Sequence, residues 1–159
     1  MQITWQLLSF EQLTTQHLYD VMKLRVDVFV VEQNCPYPEL DDKDHQSGVH
    51  HLLGFQDGKL VAYSRLLPAG LSYPSPSIGR IVTHKDHRSG GLGHKLLDKS
   101  LQYCRSFWPR ENIEIGAQEH LEVFYNNHGF KRTSESYLED GIPHIDMVFD
   151  GTLLNGTNE

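Results

Sequence analysis

The chain has 159 residues, 22% charged and 38% hydrophobic, which suits one globular domain with a substantial core and excludes a disordered chain. Its net charge of −7 excludes the basic surface that non-specific nucleic-acid binding needs. Two cysteines exclude a disulfide scaffold and are expected to stay reduced in the cytoplasm, and no stretch reads as a signal peptide or membrane anchor, so no membrane partner is expected.

Ile3 to Leu8 reads as a short strand. From Thr15 to Val30, apolar residues recur at three- and four-residue steps (Leu18, Val21, Met22, Val26, Phe29), which predicts a helix capped by Thr14 or Thr15. Glu32 to Ser47 is polar and acidic, and Pro36 and Pro38 make it a loop. His50 to Phe55 and Lys59 to Leu67 are strands joined by Asp57-Gly58, a hairpin signal. After a Pro/Gly/Ser loop, Ile78 to Thr83 is a fourth strand. A glycine cluster follows. Next comes a helix with Leu92, Leu96, Leu97, Leu101, Cys104, Phe107 and Trp108 on one stripe, stopped by Pro109. Ile113 to Gln118 is a fifth strand and Leu121 to Asn127 a short helix ending near Gly129. Lys131 to Tyr137 and His144 to Phe149 are two last strands, with a turn at Glu139-Asp140-Gly141. The expectation is one α/β (α+β) domain over residues 1–150, a mixed sheet of about seven strands flanked by helices, with a frayed tail at 151–159.

The segment Arg88-Ser89-Gly90-Gly91-Leu92-Gly93-His94 lies between a strand and a helix. The first N–H groups of a helix lack partners within it and carry partial positive charge. A turn without side chains lets an anion reach them, and Arg88 adds a positive charge at the rim. A pyrophosphate suits such a site. The Walker ending Gly-Lys-Ser/Thr and the Rossmann pattern Gly-x-Gly-x-x-Gly are both missing here.

Arg88-x-x-Gly91-x-Gly93 resembles the acyl-coenzyme A signature of the GNAT superfamily of N-acetyltransferases. Ala117 to Phe130 (AQEHLEVFYNNHGF) resembles that family's later motif. Leu24 to Asp44, the run IGRIVTH and the run EDGIPHIDM resemble its ElaA-type branch. The resemblance covers roughly residues 5 to 150. It implies a GNAT fold and acetyl-coenzyme A as co-substrate, with no metal. The acetyl group would pass directly to an amine of a small molecule or peptide. It further implies that the backbone of Ile81, Val82 and Thr83 pairs with the pantetheine arm and that Arg88 through His94 surround the pyrophosphate. Gln118 falls where many members carry a pantetheine-binding Asn. Tyr125 matches the tyrosine near the coenzyme sulfur, a general acid toward the leaving thiolate. A main-chain N–H near Val82 is the expected oxyanion donor. Members often pair as homodimers, and that assembly stays open. So do an acyl-coenzyme A sensor without an acceptor, and an acyltransferase acting on proteins or with longer acyl chains.

An attacking amine must lose a proton. Glu32, Asp44, His50 and His51 are candidate bases, with Glu32 carried as the catalytic one and Asp44 and His51 as residues near the acceptor. Arg80 stands on the fourth strand where some family members keep their base. It either orients a substrate carboxylate or pairs with an acid. The run Glu39 to Asp44 is either a lure for a cationic substrate or a solvated face. Cys35 has no feature that would activate a nucleophile, and Cys104 belongs to the apolar stripe.

Overall fold

The computed structural model describes residues 2–153. The N-terminal strand β1 (Thr4–Ser9) leads into α1 (Thr15–Arg25), which continues without a break as a π-helical segment, Val26–Glu32. The Thr14 hydroxyl accepts from the His17 N–H at 3.0 Å while His17 Nδ1 accepts from the Thr14 N–H at 3.2 Å, so the cap is reciprocal. The expected helix is therefore present, but its second half is wound wider than an α-helix. π turns are frequent at functional sites, and this one places Val28, Phe29 and Glu32 along a single wall.

β2 (His50–Gln56) and β3 (Lys59–Leu67) form the expected hairpin, with Asp57 and Gly58 both at positive φ (51° and 80°). β4 (Ser77–Thr83) adds antiparallel to β3, and α2 (Leu92–Phe107) crosses back over the sheet to β5 (Ile113–Gln118). α3 (Glu122–Asn126) is short, and β6 (Phe130–Arg132), β7 (Tyr137–Glu139) and β8 (Ile142–Phe149) complete the sheet. The order is β1-β2-β3-β4-β5-β8-β6, with β7 also on β8.

The expected strand from Lys131 to Tyr137 is thus two pieces, β6 and β7, along one edge of β8. The break has a local cause. The Ser134 hydroxyl accepts from the Asp146 N–H at 2.8 Å, taking the place of a ladder carbonyl. The β7–β8 turn is Asp140-Gly141, again with both φ angles positive (51° and 79°). Past β8, the Gly151 N–H donates to Asn112 Oδ1 at 3.1 Å. The rest of the expected tail, from 154 onward, lies outside the described residues.

Side chains alternate across the sheet as strand geometry requires. Leu52, Ala62 and Leu66 face α2, whose stripe of Leu92, Leu96, Leu97, Leu101 and Cys104 covers them. Leu53, Tyr63 and Val82 face α1, against Val21, Leu24 and Val28. Both faces are covered, and that fixes the ends of the strands as the place where a cleft can open. No helix among the described residues is long and apolar enough to cross a membrane.

Candidate active site

β4 and β5 run parallel but share one paired position, Ser77 with Glu114. Beyond it they splay apart. The opening is a cavity of about 580 Å³ walled by Ile78 to Thr83 of β4, by Ile115, Gly116 and Gln118 of β5, and by the π-helical segment. A bulge sharpens the splay. Register steps from Arg65–Gly79 to Tyr63–Val82, so β4 carries one residue more than β3, and Arg80 sits at φ 51°.

The glycine turn lies at the end of β4. Gly90 (φ 82°) and Gly91 (φ 76°) are both left-handed, and Gly91 is the N-cap of α2 with no side-chain cap. A Cβ at either would meet nothing within 4 Å, so no neighbouring side chain blocks the turn. Positive φ, not crowding, is what calls for glycine there. Gly93 is inside the helix and lines the cavity beside Phe124. Ser89 is exposed in the turn, while Leu92 is 1% exposed and points into the core, so only its backbone can serve a ligand. His94 Nδ1 lies 2.8 Å from His128 Nε2, and His128 Nδ1 lies 2.9 Å from Asp98.

Arg88 reaches the cavity rim, paired two-pronged with Glu32 at 2.6 and 2.9 Å. Its guanidinium also donates to the Thr83 carbonyl at 3.1 Å. The hydrogen bond and the positive charge hold the Glu32 carboxyl below its usual range. On the opposite side of β4, the His84 N–H donates to the Val61 carbonyl at 2.8 Å. Neighbouring residues of a strand aim their main-chain groups to opposite sides. The Val82 N–H, expected as oxyanion donor, therefore points into the β3 ladder, while the Thr83 main chain points into the cleft.

Tyr125 lines the same cavity and is 6% exposed. Burial pushes its phenol up to about 12, with no charged neighbour contributing. It stays protonated at neutral pH and can donate. Gln118 also lines the cavity, with its amide nitrogen 3.2 Å from Gln33 Oε1 and its oxygen 2.9 Å from His120.

The acceptor-side expectations fare differently. Asp44 is buried, with Arg25 at 2.6 Å and Arg65 at 3.1 Å. His51 is fully buried, with Nδ1 2.6 Å from the Tyr63 hydroxyl and Nε2 3.0 Å from the Asp44 carbonyl. That carbonyl can only accept, so Nε2 carries a proton. Burial lowers the His51 pKa. Neither residue is part of the cavity wall. His50 also lies outside it, its Nδ1 3.1 Å from the Gly48 carbonyl.

Arg80 does line the cavity, but its guanidinium is tied to Glu39 at 2.8 Å and to Asp41 at 3.4 Å. Arg25, Arg65 and Arg80 thus meet Glu39, Asp41 and Asp44 in one ionic cluster on the α1 face. Three acids of the run, Glu39, Asp41 and Asp44, are matched by arginines within the protein, while Asp42 is exposed. Tyr37 donates to Glu39 and adds its ring to the cavity wall.

Residues to which the sequence assigned no part in the site complete the wall. His144, Glu139 and Asp140 come from the β7–β8 hairpin, and Cys35 from the loop after α1. Among the described residues, no three His, Cys, Asp or Glu side chains gather in a way that would hold a metal ion.

Residues 18–150 match the family model described as an acetyltransferase (GNAT) domain. The protein ElaA of Escherichia coli K12 is 41% identical over 146 residues, covering 92% of this chain and 95% of ElaA. The crystal structure of E. coli ElaA superposes with a TM-score of 0.89 at 40% identity, over 94% of this chain and 100% of the other. An acyl-CoA N-acyltransferase from Pseudomonas aeruginosa superposes equally well, TM-score 0.89 at 40% identity, over 93% of this chain and 99% of that one.

Proposed function

The chain belongs to the GNAT acetyltransferase family, and from that premise we propose that it transfers an acetyl group from acetyl-coenzyme A directly to an amine of a small molecule or peptide. The observation that carries this reading is the cleft itself. Two parallel strands part beside an unobstructed, uncapped helix start, and a protonated tyrosine stands between them.

In this reading the diphosphate lies against the N–H groups at the start of α2, with Arg88 adding charge. The main chain of Ile81 and Thr83 holds the pantetheine arm as a strand edge holds an extended peptide. The same N–H groups face the thioester oxygen as it gains negative charge. Gln118 supports the arm from β5. Pre-alignment of thioester and amine supplies much of the rate.

Tyr125 acts at the sulfur. A free thiol ordinarily has a pKa of about 8.5, against about 12 for this phenol. The buried phenol therefore holds its proton more tightly than a free thiol does, and full transfer to a solvated thiolate is uphill. The phenol stabilises the departing thiolate first by a hydrogen bond, and the proton follows as burial makes the sulfur more basic. Glu32, held as a carboxylate by Arg88, is a poor base and is assigned to tuning that arginine. Two unpaired cysteines, Cys35 and Cys104, accord with a reducing compartment, and we place the reaction in the cytoplasm.

The test is calorimetry with acetyl-coenzyme A, followed by thiol release with a panel of primary amines. Binding is expected, and Tyr125→Phe should lower turnover by about 100-fold while leaving coenzyme affinity nearly intact. No heat at millimolar acetyl-coenzyme A would overturn the reading. An unaltered rate in Tyr125→Phe would return Tyr125 to a packing role.

A further inference from the structure

We propose that His144 is the general base that takes the proton from the attacking amine, an assignment that rests on the acyl-transfer reading above. His144 sits near the start of β8, opposite Gln118 in the β5–β8 ladder, and its ring lines the cavity that Tyr125 enters. It is 8% exposed, so little water competes for it. Its Nδ1 lies 2.8 Å from the Ile142 carbonyl, two residues back. A carbonyl only accepts, so Nδ1 carries the proton in the neutral ring and Nε2 keeps its lone pair. The nearest acid to Nε2 is Glu139 at 3.9 Å, too far for a hydrogen bond. Nε2 is therefore fixed in orientation and free to accept.

Two carboxylates of the wall, Glu139 and Asp140, are exposed on the hairpin, and the other groups around the ring are engaged. Tyr137 stacks on the ring at 6.1 Å and donates to Asp146 at 2.7 Å. Cys35 Sγ donates to the Asp140 carbonyl at 3.3 Å. His120, the other imidazole in the wall, is exposed and directs Nε2 to Gln118. Tyr125 is protonated and can only supply a proton at neutral pH. Of the bases weighed from sequence, Glu32 is held by Arg88, while His50, His51 and Asp44 stand outside the cavity.

The proton balance closes. The amine nitrogen bonds to the thioester carbon, and the nitrogen, now cationic, gives one proton to His144 Nε2. The tetrahedral carbon expels the thiolate, which takes a proton at Tyr125. Imidazolium and phenolate then exchange through solvent, leaving amide, free thiol and both side chains as they began. An amine that arrives as ammonium sheds one further proton to water.

The experiment has two arms. With acetyl-coenzyme A and the amine from a primary-amine panel that wild type turns over best, His144→Gln should lose about 100-fold or more in kcat and bind acetyl-coenzyme A as wild type does by calorimetry. Free imidazole should restore part of the rate to His144→Ala. An unchanged rate in His144→Gln, no rescue of His144→Ala by imidazole, or a loss that follows His120→Gln instead would overturn the assignment. In the second arm, nitrogen-15 spectra of ring-labelled protein, with His144→Gln to identify the signal, should show Nδ1 protonated and Nε2 bare. The opposite tautomer overturns the proposal even if no amine in the panel reacts. Failure of wild type to bind acetyl-coenzyme A removes the acyl-transfer reading instead, and leaves the tautomer result to stand by itself.

Discussion

Glu32 and Arg88 are 56 residues apart in the chain and meet two-pronged at the cavity rim. Each was singled out in the sequence for its own chemistry, and neither showed that the other was its partner. The pair has a consequence for ligand binding. A carboxylate beside the arginine partly cancels the positive charge offered to a diphosphate. Glu32→Gln is expected to tighten acetyl-coenzyme A binding up to about fivefold, since exposed ion pairs are worth up to about 1 kcal/mol. Turnover at saturation should stay near wild type, and calorimetry with thiol release reads both. A collapse of turnover would make Glu32 the base after all. The glycine turn was legible because its signal is local: helix N–H groups and positive-φ glycines lie within a few residues. His144 was not, because its tautomer depends on the hairpin that returns the Ile142 carbonyl to its ring.

At the scale of elements, the loop after α1 is held down by charge where the rest of that face is held by apolar packing. Arg25, the last residue of α1, is 0% exposed and bridges Glu39 and Asp44, each at 2.6 Å. Removing one partner of such a cluster strands the others without water. Arg25→Met is expected to cost about 3–5 kcal/mol, read as a lower denaturant midpoint with unchanged slope. A loss under 1 kcal/mol would mean that Arg65 and Arg80 satisfy the two acids unaided. The same cluster holds Tyr37, through Glu39, in the cavity wall, so coenzyme and acceptor affinity should both weaken in that variant. From sequence, Arg80 was open to pairing with some acid, but nothing joined Arg25, Arg65 and Arg80 to the acidic run, since they approach from α1, β3 and β4.

For the whole molecule, this buried charge makes stability depend on pH. Burial works against ionisation of Asp41 and Asp44, but Arg65 and Arg25 outweigh it and hold Asp41 well below the usual carboxylate range and Asp44 below it. Acids depressed in the folded state stabilise it fully above their unfolded pKa, about 3.9, and lose that contribution as pH falls through the folded value. His51, depressed by burial, adds a step of the same sign that begins below its unfolded pKa, about 6.5. The thermal midpoint is therefore expected to hold level above about pH 7, decline modestly toward pH 5, and fall steeply below about pH 4. A midpoint that rises between pH 7 and pH 4 would contradict the buried cluster. His51→Gln should shrink the first step, leaving the smaller share of His84, and keep the second.

The order of elements, the two Asp-Gly hairpin turns, the apolar stripe of α2 and the bare helix start were all readable from neighbouring residues, because periodicity, turn chemistry and capping act within one or two turns of chain. The parting of β4 from β5, the partners of three arginines, the split of β6 from β7 and the free nitrogen of His144 were decided only when distant segments met. Each depends on which groups share a space that excludes water, and in that space a charge or a hydrogen-bonding atom takes its role from its neighbours.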